Sequence, residues 1–389
     1  MDEMKLPAAS GLDGINVADT RLSDVDGERG RLILAGRDVE SLAGRASFEE
    51  VCALLWRESR ASRAAGREDF HASSVRAALA EGRRVAFDRL GSIGDALSAE
   101  DGMDALRAAA AHLGVGTATS GPDANTNGTA GNSIGISEIA AIAGALAVFA
   151  AAWARAREGL PPVAPDASLG HAEDFLRMIR GEPAPAPLAA ALDTYLVTVA
   201  DHGMNASTFA ARVVTSTGSD RVSAVVAAIG ALKGPLHGGA PGPVLDMLDA
   251  IGSPDRAEAW IEAELAAGRR IMGMGHRIYR VRDPRAAVLE QATLRLEQAG
   301  FVTGRLALAR AVERAAEGVL KARYPDRPLR ANVEFYTAVL LDSVGLPRRL
   351  FSPAFAVGRV AGWCAHIEEQ RAVGRLIRPA SRFVGAIAS

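Results

Sequence analysis

Apolar residues recur every three and four positions through residues 188–214, 222–232 and 305–320, the spacing that lines one face of an α-helix. Runs with the two-residue alternation of strands are scarce. There is no short internal repeat and no βαβ alternation, so the architecture reads as mainly α. One exception opens the chain: Ser23-Asp24-Val25-Asp26-Gly27 followed by Arg31-Leu32-Ile33-Leu34 has the alternation and turn residues of a small β-hairpin. Ser47 with Glu50 then forms a capping box ahead of the apolar run that starts at Val51. With 389 residues, 49% of them hydrophobic, such helices can close around a large core, as one big domain or as two that share a cleft.

Residues 139–154 carry no charge and are rich in alanine, and the run is closed by Glu138 and Arg155. It is shorter than the roughly 20 strongly apolar residues of a membrane span and reads as a buried helix. Its small side chains let another helix approach closely, and a subunit interface is one place for that contact. A net charge of −2 gives no global electrostatic reason to expect nucleic acid or an anionic membrane as partner. Cys52 and Cys364 lie far apart without metal or redox spacing, so they read as small buried hydrophobes. The opening residues MDEMKLPAAS lack the apolar stretch of a secretion signal, which makes the cytoplasm the expected compartment. On that reading the Asn-X-Ser/Thr patterns at Asn127 and Asn205 are chance matches. Residues 114–135, a run of Gly, Ser, Thr and Asn, are expected to form a long mobile loop.

Three short segments each hold one ionisable residue between glycines or at a tight turn. The first, KGPLHGGAPG at 233–242, sets His237 ahead of the amphipathic run that begins at Val244. Its glycines let a ligand or backbone approach the imidazole, and the positive end of the following helix favours the neutral ring. A neutral imidazole can donate a hydrogen bond to a carbonyl oxygen becoming an enolate; a histidine that fills a turn is the competing reading. The second, MGMGHRIYRVRDPR at 272–285, places His276 among four arginines. That density of guanidinium donors suits carboxylates and phosphates, and it also fits a solvated basic loop. Gly273-Met274-Gly275 lacks the third glycine and the preceding strand of a dinucleotide fingerprint, and no P-loop or HExxH motif occurs. The third, NVEFY at 332–336, holds Glu334 among apolar residues, either as a helix-start acid or as a general base with a tuned pKa.

Order and wording carry more than any one motif. DHGMNAST at 201–208, GPLHGGA at 234–240, GMGHRIYRVRDPR at 273–285, NVEFY at 332–336, FAVGRVAGW at 355–363 and LIRP at 376–379 together resemble the citrate synthase family. GLDG at 11–14 and DGERG at 26–30 extend the likeness over nearly the whole chain, and it is weakest between residues 60 and 135. The HGMNAST and NVEF wording is similar to a bacterial citrate or 2-methylcitrate synthase subgroup.

The resemblance implies a two-domain, mainly α fold with a small N-terminal β-hairpin, assembled as a homodimer. Residues 1–220 and 331–389 would form the large domain, and residues 221–330 a small domain that closes over the cleft. It implies that oxaloacetate binds first, through His202, Arg285 and Arg359, with Arg378 reaching in from the other subunit. Coenzyme A would be held around Met272, Gly273, Met274 and Gly275, and by arginines such as Arg280. Glu334 would take a methyl proton from acetyl-CoA while His237 donates to the thioester oxygen. His276 would polarise the ketone and protonate the new alkoxide, and hydrolysis of citryl-CoA would release citrate and free CoA. No metal and no permanently bound cofactor is implied, the acyl-CoA being a substrate.

One departure from the family pattern matters: its usual base is aspartate, and Glu334 is one methylene longer. A base displaced by about 1 Å can cost roughly a hundredfold in rate unless the cleft is adjusted to it. Pro241, where asparagine is commoner, and Gly102, where a histidine and proline often precede the Met-Asp pair, are lesser departures. Three readings therefore compete. The first is a condensing enzyme using acetyl-CoA, with a 2-methylcitrate synthase using propionyl-CoA as its neighbour, since one methylene changes selectivity by only about 1–3 kcal/mol. The second is a non-catalytic acyl-CoA or dicarboxylate binder, and the third a metal site of His202, His237 and His276, which lacks any sequence-local ligand pair.

Overall fold

The structure, a computed structural model, describes residues 12, 15–59, 70–114, 133–238, 241–276, 278–381 and 383–385. Most of the expected loop at 114–135 lies outside the described residues. The chain opens with three antiparallel strands in sequence order, β1 (Ser23–Asp26), β2 (Arg31–Leu34) and β3 (Arg37–Asp38). Ser23 pairs with Leu34 and Asp26 with Arg31, so the first two strands are the hairpin that the sequence pattern predicts. The short third strand, paired through Ile33 and Asp38, is additional.

Helices follow: α1 (Val39–Leu42), α2 (Phe48–Ser59), α3 (Ala72–Asp88), α4 (Gly102–Ala111), α5 (Ser133–Arg157), α6 (His171–Arg180) and α7 (Ala186–Val199). The remainder are α8 (Ala206–Ser216), α9 (Arg221–Leu232), α10 (Pro241–Ile251), α11 (Ala257–Ala266), α12 (Pro284–Gln298), α13 (Arg305–Arg323), α14 (Val333–Val344) and α15 (Phe351–Val373). The mainly α architecture stands as expected. The capping box is formed: Glu50 N–H donates to Ser47 Oγ at 3.2 Å while Ser47 N–H donates to the Glu50 carboxylate at 2.7 Å.

Helix α5 is longer than the uncharged run within it. Residues Ser137–Arg157 are long and apolar enough to cross a membrane by length and composition, and 89% of the apolar window is buried inside the fold. Its close partner is α3 of the same chain. A Cβ on Gly82 would lie 2.7 Å from Ala141 Cα, and one on Gly144 would lie 2.6 Å from the Leu79 carbonyl. The small residues thus bring two backbones together in the core of one chain. Cys52 and Cys364 are both buried and free.

The N-terminal hairpin has a task beyond capping this core. Ser23 Oγ donates to Asp201 Oδ2 at 2.5 Å and accepts the Gly203 N–H at 3.0 Å, fixing the loop after α7. At its turn, the Gly27 carbonyl accepts the Arg280 N–H at 2.9 Å, and a Cβ on Gly27 would lie 2.4 Å from the Ile278 carbonyl. Only glycine fits there, and the contact holds the loop that carries His276.

Candidate active site

Residues 273–275 run alongside residues 330–332 instead of forming a free loop. Met274 and Ala331 make an antiparallel bridge. Gly275 N–H donates to the Arg330 carbonyl at 2.7 Å, and Asn332 N–H to the Gly273 carbonyl at 2.9 Å. Gly273 adopts φ +74°, and a Cβ there would lie 2.9 Å from the Phe335 ring. The Asn332 side chain joins the two segments directly. Its amide donates to the Gly275 carbonyl at 2.9 Å, and its oxygen caps α14 by accepting the Glu334 N–H at 3.0 Å. The loop of His276 is therefore anchored to the helix start that carries Glu334.

Asp283 completes this junction. Oδ1 accepts the Arg285 N–H and Nε, each at 3.0 Å, and Oδ2 accepts Arg285 Nη2 at 2.7 Å and the Val333 N–H at 3.2 Å. One buried carboxylate thus caps α12, grips the Arg285 guanidinium from two sides and holds the first residue of α14.

The imidazole of His276 is held in one tautomer. Its Nδ1 accepts two backbone N–H groups, from Ile278 at 3.0 Å and Tyr279 at 3.1 Å, so the neutral ring carries its proton on Nε2. That Nε2 lies 3.5 Å from Arg285 Nη2. Two donors side by side converge on an acceptor supplied from outside. Burial, with the Arg285 charge adding to it, lowers the His276 pKa to about 4, so the ring stays neutral at physiological pH. His202 packs edge-on against it, ring centroids 5.8 Å apart, with Nε2 3.1 Å from the Tyr279 hydroxyl. Burial, then Arg285 and Arg359, drive the His202 pKa well below the histidine range.

His237 follows α9. Its Nε2 lies 2.8 Å from Ser207 Oγ and accepts the Ser207 N–H at 3.3 Å, which leaves the proton of the neutral ring on Nδ1. Trp363 Nε1 donates to the same Ser207 oxygen at 3.0 Å. Burial, followed by the nearby Arg359 charge, lowers the His237 pKa to about 4. The expectation of a neutral ring holds, with desolvation and a guanidinium as its leading causes.

Glu334 occupies the first turn of α14, where the helix dipole favours a charged carboxylate. Burial outweighs that: the carboxyl pKa is raised to about 7, with Arg285 and Arg359 pulling it down and Asp283 pushing it up. Arg359, on α15 and buried, donates Nε to the Val199 carbonyl at 2.6 Å and lies 4.8 Å over the Phe355 ring. It forms no ion pair among the described residues. The Phe355 ring in turn sits 6.5 Å from that of His237. His202 feels the charges of Arg285, Arg359, His276 and His237 together, and Glu334 those of Arg285 and Arg359, so the three segments meet in one cluster.

The family model described as "Citrate synthase, C-terminal domain" matches residues 11–380. The chain belongs to the citrate synthase family. It is 37% identical over 376 residues to the citrate synthase of Haloferax volcanii, an alignment that takes in 96% of this chain and 95% of that protein. It is 38% identical to a 2-methylcitrate synthase of Mycobacterium tuberculosis, across 96% of this chain and 90% of the other. Among solved structures, the citrate synthase of Thermoplasma acidophilum in ternary complex with carboxymethyl coenzyme A and oxaloacetate superposes with a TM-score of 0.83. The sequences are 26% identical there, over 98% of this chain and 97% of that one.

Against the family expectation, the single chain gathers His202, His237, His276, Arg285, Glu334 and Arg359 in one cluster and leaves Arg378 outside it. Arg378 is exposed in the extended segment after α15, lining a cavity of about 500 Å³ with residues such as Ile15, Phe209 and Ile377. Met272, Met274 and Gly275 are partly accessible, Gly273 is buried, and Arg280 is exposed with its backbone tied to Gly27. Of the other arginines in the second segment, Arg282 pairs with Glu313 and Glu290, and Arg285 with Asp283. Arg277 lies outside the described residues. The basic density is thus partly neutralised within the fold. Residue-level reading gave no role to Ser207, Trp363, Tyr279 or Asp283, although all four stand inside the family motifs. Their partners lie on other elements, up to 156 positions away.

Proposed function

We propose that this chain condenses acetyl-CoA with oxaloacetate, giving citrate and free CoA through an enolate and citryl-CoA. The observation that carries this reading is the pairing of a neutral His276, its Nε2–H beside the Arg285 guanidinium, with a carboxyl group poised near pH 7. Arg285 and Arg359 provide cationic forks for the carboxylates of oxaloacetate, with His202 beside them. His276 donates Nε2–H to the ketone oxygen and delivers that proton to the alkoxide as the new bond forms. Glu334 removes the methyl proton of the thioester; a carboxylate whose pKa lies near the working pH combines a useful ionised fraction with basicity. His237, its Nε2 occupied by Ser207, presents Nδ1–H to the enolate oxygen, so charge develops against a fixed donor instead of reorganising water. The next water attacks citryl-CoA and expels the thiol.

The remaining family features enter as proposals. A small domain of residues 221–330 closes on a large domain of residues 1–220 and 331–389, excluding water from the enolate. The protein works as a cytoplasmic homodimer, with Arg378 supplied across its interface. CoA binds along residues 272–275, with Arg280 toward its phosphates. A second reading, propionyl-CoA to 2-methylcitrate, is favoured by the near-equal identity to the Mycobacterium tuberculosis 2-methylcitrate synthase and the Haloferax volcanii citrate synthase. The test is release of free thiol from acetyl-CoA and propionyl-CoA, with and without oxaloacetate. Oxaloacetate-dependent thiol from either acyl-CoA supports condensation, and the faster one names the acyl chain. No dependence with either rejects the enzyme reading in favour of a binder.

A further inference from the structure

Tyr195, midway along α7, is fully buried, and its hydroxyl has no hydrogen-bond partner among the described residues. A phenol withdrawn from water ordinarily finds a partner, so a lone one marks a bond made in another state of the site. Its surroundings narrow the choice. Val199, one turn later on the same face of α7, accepts the Arg359 Nε, and Gly358 on α15 approaches so closely that a Cβ would lie 2.6 Å from Val199 Cγ2. Helix α7 packs against both α14 and α15, the helices that carry Glu334 and Arg359, and these are the charged groups close enough to act on the Tyr195 hydroxyl. Arg359 has only donors to offer. Of these two, the carboxylate of Glu334 alone can accept the phenolic proton.

We propose that Tyr195 is a positioning residue for Glu334, its hydroxyl donating to the ionised carboxylate and holding the longer glutamate arm in a single place. This rests on the reading of Glu334 as the base, and it accounts for how a side chain one methylene longer than aspartate is steadied: the extra rotatable bond is fixed by a donor from α7. The other groups facing Glu334 are Arg285 and Asp283 at the start of α12 and Arg359 on α15.

The variant is Tyr195→Phe, which keeps the ring and removes only the unpartnered oxygen, so the packing survives. The Glu334 carboxyl is titrated by infrared difference spectroscopy, with Glu334→Gln identifying its band, in the free protein and with oxaloacetate. Losing a donor to the charged form raises the midpoint by about one unit, a tenfold fall in ionised fraction at a given pH below it. The acid limb of kcat/KM moves upward by the same amount, and in a Glu334→Asp background Tyr195→Phe has no further effect because the shorter arm does not reach. A Glu334 midpoint unchanged by Tyr195→Phe in both states overturns the proposal, since a purely packing role leaves it fixed. The infrared arm decides this whatever the turnover; absence of oxaloacetate-dependent thiol release in the unaltered protein refutes the enzyme reading separately.

Discussion

Replacing Asp283 tests the junction on which the site is built. Its side chain is fully buried, as is nearly all of that of Arg285, with which it shares contacts of 3.0 and 2.7 Å. Removing one partner of a buried ion pair costs about 3–5 kcal/mol, because the other charge is left without compensation. Asp283→Ala also deletes the cap of α12, worth about 1 kcal/mol, and leaves the Val333 N–H without its acceptor. These terms share one side chain and do not simply sum, so a loss of about 4–6 kcal/mol is expected. That is a large part of the roughly 5–15 kcal/mol by which proteins are stable. Asp283→Asn retains an oxygen for the cap and loses the charge, so it should recover about 1 kcal/mol relative to alanine. Urea unfolding followed by circular dichroism measures both values. Oxaloacetate affinity, by calorimetry on the folded asparagine variant, should fall at least about tenfold as the Arg285 fork loses its aim. A cost below about 1 kcal/mol for alanine would refute the claim that Asp283 holds the two segments together.

Other outcomes follow from the same geometry. With the Glu334 carboxyl near 7 and both His237 and His276 near 4, kcat/KM should rise tenfold per pH unit up to about pH 7 and then level off, without a histidine limb between pH 5 and 8. A raised carboxyl pKa means that the native state holds an extra proton between about 4.5 and 7, so Glu334 lowers stability progressively as pH rises through that window. Glu334→Gln should therefore unfold at higher urea than the unaltered chain at pH 8, by at most about 3 kcal/mol, with the gap closing below pH 4.5. Ser207→Ala removes the hydroxyl 2.8 Å from the Nε2 of His237 and leaves only the backbone N–H at 3.3 Å to hold the ring, so it should lower kcat about tenfold with little change in the KM for oxaloacetate, measured by thiol release.

Much of the fold was legible because helices announce themselves locally. The three- and four-residue spacing, the Ser47 and Glu50 capping box and the Ser23 to Leu34 hairpin all depend on neighbours close in sequence. The candidate site was legible through its glycine-bracketed histidines and the Glu334 motif. What escaped was the identity of the partners that tertiary contact supplies. Whether Glu334 serves as a helix-start acid or a tuned base turns on burial, which outweighs the helix dipole only once α7, α14 and α15 are packed. The roles of Ser207 and Trp363 arise between α8 and α15, and that of Tyr195 between α7 and its neighbours, with no local signal to mark them. The close helix contact of residues 139–154 was readable from composition, but its partner, α3, was not.

The central claim is that Glu334 takes a proton from the thioester methyl group while neutral imidazoles receive the charge. It is tested most directly by incubating the protein with acetyl-CoA in deuterium oxide beside a dicarboxylate that fills the oxaloacetate site but lacks a ketone. Mass spectrometry of the recovered acetyl group follows exchange without condensation. Deuterium should enter the methyl group with the unaltered chain, and the Glu334→Gln variant should reduce its entry to background while still binding the dicarboxylate. Equal exchange in the two proteins would contradict the account.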